Sequence, residues 1–380
     1  MRALIFCLIF NSMLFASFNN STYNNRDELI LETFNVEPSF LYDENFLSMK
    51  NTFLNEMRRE RLLKRYGEAY EFVPLLKEMI LKAEIPQEFL YLAMAESEFS
   101  LRAYSRKKAA GLWQFMPQTA KIFGLKIDEY VDERRDPVRS TEVAITYLKH
   151  LQGIFGKWYL AAIAYNCGEG RLKRAIAQAG SDELAILLDS KKRYLPRESR
   201  LYIRKILSFA MMFRNIDALK SSDYEYFLNR GALTTIAAVK VKGGTHLYRV
   251  AQGAGISLEE LKKYNRQFKY AFTPPVTGRE YNVYLPYERL ASFKQNYREN
   301  SDDEIFYVHR VQKGDTLYGL AKRYKIALQE IKIANNLRTS ALSLNQRLII
   351  PVLKRENARK VSQNGSSHTL KEEVKLVRAP

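Results

Sequence analysis

A glutamate that closes the apolar face of a helix is placed to act as a proton donor. Phe89, Leu90, Ala93 and Met94 recur at helical spacing within 87–98, which predicts a helix with one buried face, and Glu96 sits at the end of that face. A carboxyl held against apolar wall resists ionisation. An acid still protonated near neutral pH is what the leaving oxygen of a glycosidic bond needs. Taken alone, Glu96 would read as a solvated residue at a helix end. Two further motifs follow it in order, GLWQFMPQTA at 111–120 and AYNCGEG at 164–170, so Glu96 does not stand alone.

Glycoside hydrolysis ordinarily uses two carboxyl groups. The core motif offers one obvious acid, because Glu98 lies two residues on and points away from Glu96 on a helix, while Glu84 and Glu88 lie nearer the helix start. With water as the acceptor the second carboxyl is missing. If the sugar supplies its own acceptor, one residue can serve as acid and then as base. No His or Cys cluster has metal-ligand spacing and no glycine-rich phosphate loop follows a strand, so no metal and no cofactor are expected.

The elements that must position these groups read as helices over 44–65, 73–82, 86–98, 117–123, 158–165, 171–178 and 197–214. Pro86 opens the helix that ends at Glu98. Ser140 is the expected N-cap of a further helix that carries Val143, Ala144, Tyr147, Leu148, Leu151 and Phe155 on one side. No convincing strand precedes residue 236, so this part is expected to be all-α. Residues 1–17 carry one Arg, an apolar run from Ala3 to Phe10 and small residues Ala16-Ser17, which reads as an export signal. Cys7 does not read as a lipid anchor, since Phe6 stands where a small residue is expected. The mature chain then keeps Cys167 alone, which excludes an intramolecular disulfide and reads as a packed thiol.

Residues 215–236 read as a linker, and an internal repeat with an offset of 70 follows it. Leu317, Tyr318, Leu320, Ala321, Ile326, Leu328, Ile331 and Asn335 match Leu247, Tyr248, Val250, Ala251, Ile256, Leu258, Leu261 and Asn265. Each copy reads as a β-α-α-β unit, with Gly314-Asp315 as turn and N-cap in the second. The first copy diverges at Gly243-Gly244-Thr245-His246-Leu247, read with one inserted residue, Gly244 in the place of the capping Asp, and a longer loop before Pro286. Residues 353–380 are hydrophilic and read as a disordered tail. With 60 basic against 42 acidic residues, the net charge of +18 points to an anionic polymer as partner. Nucleic acid is not that polymer, since the charge is spread over helices and tail rather than set beside a recognition motif.

In these motifs the chain resembles the soluble-lytic-transglycosylase, goose-lysozyme-like superfamily, and within it the membrane-bound lytic murein transglycosylase D type. The resemblance runs from about Arg65 to Phe213 through EIPQEFLYLAMAESEF, GLWQFMPQTA, the DERRDP stretch at 132–137, AYNCGEG and LPRESRLYI at 195–203. Lys108-Ala109-Ala110 replaces the usual glycine-led turn before GLWQ, and Ser199 stands where Thr is more common. The segment with KGDTL at 313–317 resembles the LysM domain, a binder of N-acetylglucosamine-containing glycans.

What the resemblance implies is a mainly α chain. It would have a signal peptide at 1–17, a helical lead at 18–64 and a lysozyme-like all-α catalytic domain at 65–214. A linker (215–236), two small β-α-α-β LysM-like domains (237–287 and 305–352) and the tail would follow. The implied reaction cleaves the β-1,4 bond after N-acetylmuramic acid by attack of that sugar's own C6 hydroxyl, with Glu96 as acid and then base. The implied substrate-binding positions are Ser97, Ser105, Gln114, Met116, Tyr165, Asn166, Glu198 and Tyr202. Those of the LysM domain are Gly314, Asp315, Thr316, Leu317 and Asn335. Trp113 and Phe115 read as core, and an ion pair to a nearby Arg is the plainer alternative for Glu198. The implied partner is the peptidoglycan glycan strand in the periplasm, with peripheral association to membrane or sacculus. A muramidase that hydrolyses the same bond and a non-catalytic wall-binding scaffold remain open readings.

Overall fold

The computed structural model describes residues 26–214, 235–276, 278–299, 305–335 and 337–352. The expected signal peptide, nearly all of the expected linker and the tail lie outside the described residues. The chain divides into two compact units, one from Met1–Lys126 with Glu133–Thr234 and the other from Ile127–Asp132 with Thr235–Pro380.

The first unit is helical. Its helices are α1 (Glu44–Leu54), α2 (Glu56–Glu68), α3 (Val73–Lys82), α4 (Leu90–Ser97) and α5 (Pro117–Ile122). They continue as α6 (Pro137–Phe155), α7 (Trp158–Cys167), α8 (Glu169–Ala179), α9 (Leu184–Leu187) and α10 (Arg197–Arg214). The single helix expected over 44–65 is two, because Asn55 is extended (φ −57°, ψ 133°). Apolar periodicity runs through such a break, since the faces on either side of it are both packed. Pro86 does not open α4. It caps a 3-10 turn at Gln87–Phe89 that leads into the helix.

Ser140 does not cap α6 either. Asp136 does, its carboxylate accepting from the backbone N–H groups of Val138 and Arg139, both at 2.9 Å, with Pro137 in the first turn. The Ser140 hydroxyl lies inside the helix and donates to the Asp136 carbonyl at 2.5 Å. Helix α10 is the axis of the unit and packs against α1, α4 and α7. Ile203, Ile206, Leu207 and Ala210 are fully buried along it. Its Arg204 is buried with them and pairs with Asp43, the N-cap of α1, at 2.7 Å.

The second unit holds two strand pairs. The first module runs β1 (Ile236–Lys242), α11 (Leu247–Ala254), α12 (Leu258–Tyr264) and β2 (Glu280–Pro286), then α13 (Leu290–Asn296). The second runs β3 (Ile305–Arg310), α14 (Leu317–Tyr324), α15 (Leu328–Ala334) and β4 (Arg347–Val352). Both pairs are antiparallel, with Ile236 opposite Pro286 and Ile305 opposite Val352. The repeat is visible in its wiring. Asn265 donates to the Leu261 and Tyr284 carbonyls and accepts from the Tyr284 N–H. Asn335 makes the same three bonds with Ile331 and Ile349. The chain returns to this amide after 19 residues in the first copy and 14 in the second, which is the longer loop expected before Pro286.

Two expectations about the capping turns are corrected. Thr316 rather than Asp315 caps α14, its hydroxyl accepting from the Gly319 N–H at 3.0 Å. Asp315 instead accepts from the Gln312 N–H at 2.7 Å and holds His309 at 2.8 Å. Nor is a residue inserted in the first copy. Gly244 and Gly314 take the same positive φ (81° and 92°), and His246 caps α11 where Thr316 caps α14.

Candidate active site

Glu96 lies in the last turn of α4, whose Leu90, Leu92, Ala93 and Met94 are fully buried. The residue as a whole is half-buried, and its carboxyl meets α10: the Tyr202 hydroxyl donates to Glu96 Oε1 at 2.5 Å. Burial raises the Glu96 pKa to about 7, against the pull of the Tyr202 hydrogen bond and the Lys205 ammonium, while the Glu198 carboxylate pushes it up further. Glu198, Tyr202 and Lys205 follow one another at helical spacing along one face of α10, so a single helix sets both the partner and the local field of the acid.

Lys205 carries a signal that the motifs did not reveal. Its ammonium donates to the Ala95 carbonyl at 2.8 Å beside the acid, and burial lowers its pKa. In sequence it is one basic residue among sixty, and only the meeting of α4 with α10 distinguishes it.

The loop after Gly111 forms the adjoining wall. Gly111 has φ 79°, and a Cβ there would lie 1.7 Å from the Arg134 carbonyl oxygen, so no side chain fits. Arg134, from the DERRDP stretch, is buried and donates to the carbonyls of Lys108 (2.6 Å) and Phe115 (3.0 Å), closing the loop from behind. Trp113 and Phe115 are core, as expected, and the Trp113 indole donates to Thr141 at 2.9 Å. Two site residues grip the same loop. The Ser97 hydroxyl donates to the Leu112 carbonyl at 2.8 Å, and the Tyr165 hydroxyl to the Trp113 carbonyl at 2.7 Å. Burial and the Glu96 charge hold the Tyr165 phenol well above its ordinary pKa.

The remaining positions divide. Met116 is exposed, Gln114 (φ 48°) turns its amide back to the Gly111 carbonyl at 2.8 Å, and the Ser105 hydroxyl accepts from the Ala109 N–H at 3.0 Å. Asn166 accepts from the Ser199 hydroxyl at 2.8 Å, which ties α7 to α10. Glu198 is exposed rather than buried between helices. Cys167 is half-buried, and burial pushes its thiol pKa up, the opposite of what a nucleophile requires.

In the second module, Asp315, Thr316 and Asn335 engage their side chains in internal bonds, and Leu317 is buried. Gly314 serves its turn with φ 92°. Among the described residues no group of His, Cys, Asp and Glu is arranged to hold a metal ion, and no helix is long and apolar enough to cross a membrane.

Comparison with known families matches the transglycosylase SLT domain to residues 76–187. The LysM-like domain of lytic transglycosylase MltD matches 235–302, and the LysM domain matches 309–351. The chain thus carries a segment that matches an SLT domain, followed by two segments that match LysM-type domains. It is 30% identical over 304 residues to membrane-bound lytic murein transglycosylase D of Escherichia coli K12, across 76% of this chain and 64% of that protein. The peptidoglycan transglycosylase gp16 of Escherichia phage T7 is 35% identical over 121 residues, 31% of this chain and 9% of that one. Among solved structures, the 70 kDa soluble lytic transglycosylase of Escherichia coli is 22% identical with a TM-score of 0.30, across 55% of this chain and 31% of that chain. The chain thus spans 64% of the length of that transglycosylase D relative. Glu96, Gln114 and Tyr165 lie inside the matched SLT segment, whereas Tyr202 and Lys205 lie beyond its end at 187.

Proposed function

We propose that the protein is an exported lytic transglycosylase that cleaves the bond between N-acetylmuramic acid and N-acetylglucosamine in peptidoglycan, with Glu96 as its one acid and base. The observation that carries this reading is the Glu96 carboxyl, pushed by burial to a pKa of about 7 and held by Tyr202 at 2.5 Å. Such a group is protonated and ionised in comparable amounts at neutral pH, as a residue that must give a proton and then take one back requires.

In the first step Glu96 gives its proton to the glycosidic oxygen, and the C1–O bond breaks with its electron pair leaving on that oxygen. In the second, the muramyl C6 hydroxyl attacks C1 and passes its proton to the Glu96 carboxylate, which restores the acid and closes a 1,6-anhydro ring. No water is consumed. Tyr202 donates to the carboxylate throughout and keeps its direction, while the Lys205 charge stabilises the ionised state between the two steps. Tyr165 and Ser97 hold the Gly111–Met116 wall against which the sugar would lie, and Met116 and Gln114 would face it.

The two LysM-type domains would hold the enzyme on the glycan and raise the local concentration of scissile bonds. The +18 charge suits a polymer that carries peptide carboxylates. The apolar run from Ala3 to Phe10 with Ala16-Ser17 behind it supports export to the periplasm.

Hydrolysis of the same bond is the second reading, and the exposed Glu198 carboxylate on the α10 face that meets Glu96 is what favours it. Mass spectrometry of the muropeptides released from purified sacculi separates the two. Anhydro-muramyl ends that disappear in Glu96→Gln support the transglycosylase, reducing ends make it a hydrolase, and no release by the wild type leaves a binding scaffold.

A further inference from the structure

We propose that helix α2, through Arg61, Arg65 and Tyr66, is a positioning element for the acid, because it clamps the left-handed turn at Glu98–Phe99 that ends the helix carrying Glu96. The inference rests on the reading of Glu96 as the acid. Helix α2 lies outside the segment matched by the SLT domain, which begins at residue 76.

Helix α4 ends one residue after Glu96, and two successive non-glycine residues then turn left-handed, Glu98 (φ 51°) and Phe99 (φ 60°). Such conformations are costly without glycine and persist only where the surroundings over-determine them. The Glu98 N–H donates to the Met94 carbonyl at 2.9 Å and the Ser100 N–H to the Ser97 carbonyl at 3.1 Å, so the turn is continuous with the last helical turn, which contains Glu96. If the turn relaxes, that last turn frays and the acid leaves Tyr202.

What over-determines it comes largely from α2. One guanidinium nitrogen of Arg61 reaches both Glu98 oxygens, at 2.8 and 3.2 Å, and Arg65 reaches one at 3.4 Å. One turn on, Tyr66 sets its ring edge-on to Phe99, centroids 5.6 Å apart, and stacks on Phe213 at 4.6 Å. Phe213 in turn stacks on Tyr91 of α4 at 5.4 Å. Helix α2 therefore bears on α4 through Tyr91 and the turn, and on α10, which carries Tyr202, through Phe213. A single exposed ion pair stabilises little. Two guanidiniums on one carboxylate beside a three-ring stack act together on the same turn, and a shift of about 1 Å at a reacting group can cost about a hundredfold in rate.

The clamp predicts a difference between alanine and glycine at position 98. Glu98→Ala loses the carboxylate and keeps the strain, whereas Glu98→Gly loses both, since glycine adopts the left-handed conformation freely. Turnover of soluble glycan strands and the 13C NMR titration of the Glu96 carboxyl would be measured in the full chain, with Glu96→Gln to assign the resonance. In Glu98→Ala and in the surface variant Arg61→Gln/Arg65→Gln, kcat is expected to fall about tenfold. KM should stay within about twofold and the Glu96 titration should move toward that of an ordinary carboxyl. Glu98→Gly should keep kcat within about twofold of wild type. Alanine and glycine behaving alike, or an arginine double variant with wild-type kcat and an unmoved titration, would overturn the clamp. A wild type that turns over no glycan would instead overturn the proposed function, and the titration shifts would still decide the clamp.

Discussion

The Tyr202 hydroxyl donates to Glu96 Oε1 at 2.5 Å across 106 residues of chain, and the bond has a definite electrostatic sign. A donor to a carboxyl oxygen favours the ionised form, so it works against the burial that raises the Glu96 pKa to about 7. Tyr202→Phe leaves the packing and removes the donor. The limb of the pH–kcat profile that reports loss of the acidic proton should then move above 7, and kcat should fall about tenfold or more as the acid loses its direction. An unmoved limb would mean that the bond is not made in the working enzyme.

Lys205 and Glu198 act on the same carboxyl with opposite signs. A cation favours the carboxylate, so Lys205→Met should raise the Glu96 pKa and carry the same limb to higher pH. Removal of the Glu198 charge by Glu198→Gln should carry it lower. Glu198→Gln also bears on the reaction, because a transglycosylase should keep most of its turnover without it while a hydrolase that used it as base should lose about 10²-fold or more. Paired pH profiles of the two variants, with product ends assayed alongside, test both points.

Glu96→Gln should inactivate the protein by about 10² to 10⁴ in rate and at the same time stabilise it. The folded-state pKa of about 7 exceeds the ordinary glutamate value of 4.5, so ionising Glu96 costs folding free energy. That cost is absent below the unfolded pKa, grows as pH rises, and is complete above the folded one. Urea unfolding should therefore show Glu96→Gln more stable than wild type by up to about 3 kcal/mol at pH 8 and indistinguishable at pH 4. Equal stability at pH 8 would contradict a carboxyl that burial makes hard to ionise.

Gly111→Ala should damage the first unit, because the added methyl would lie 1.7 Å from the Arg134 carbonyl oxygen, a backbone atom that Arg134's own bonds to Lys108 and Phe115 hold in place. A loss of about 3 kcal/mol or more is expected, from the clash and from φ 79° together. Thermal unfolding checks it; a wild-type melting temperature would mean that the loop can move away from Arg134.

The chain by itself determined the helices and the repeat, because local spacing carries that information. The apolar rhythm around Met94 marks a buried face, and the offset of 70 sets Asn265 against Asn335, which prove to make the same three bonds. Periodicity missed the break at Asn55, where the backbone leaves the helical conformation, and misplaced two caps that a side-chain hydrogen bond decides, at Asp136 instead of Ser140 and at Thr316 instead of Asp315. For the site, the identity of Glu96 was legible because it closes an apolar face between recognisable motifs. That burial against an apolar wall would hinder its ionisation was legible too. The tuning of that effect was not: Tyr202, Lys205 and Glu198 act from a helix about a hundred residues away, and Coulombic and hydrogen-bonding effects depend on distance in space, which spacing along the chain does not report. For the same reason only the tertiary structure decided that Ser97 and Tyr165 hold the Gly111 loop and that Arg61 and Arg65 reach the turn behind the acid.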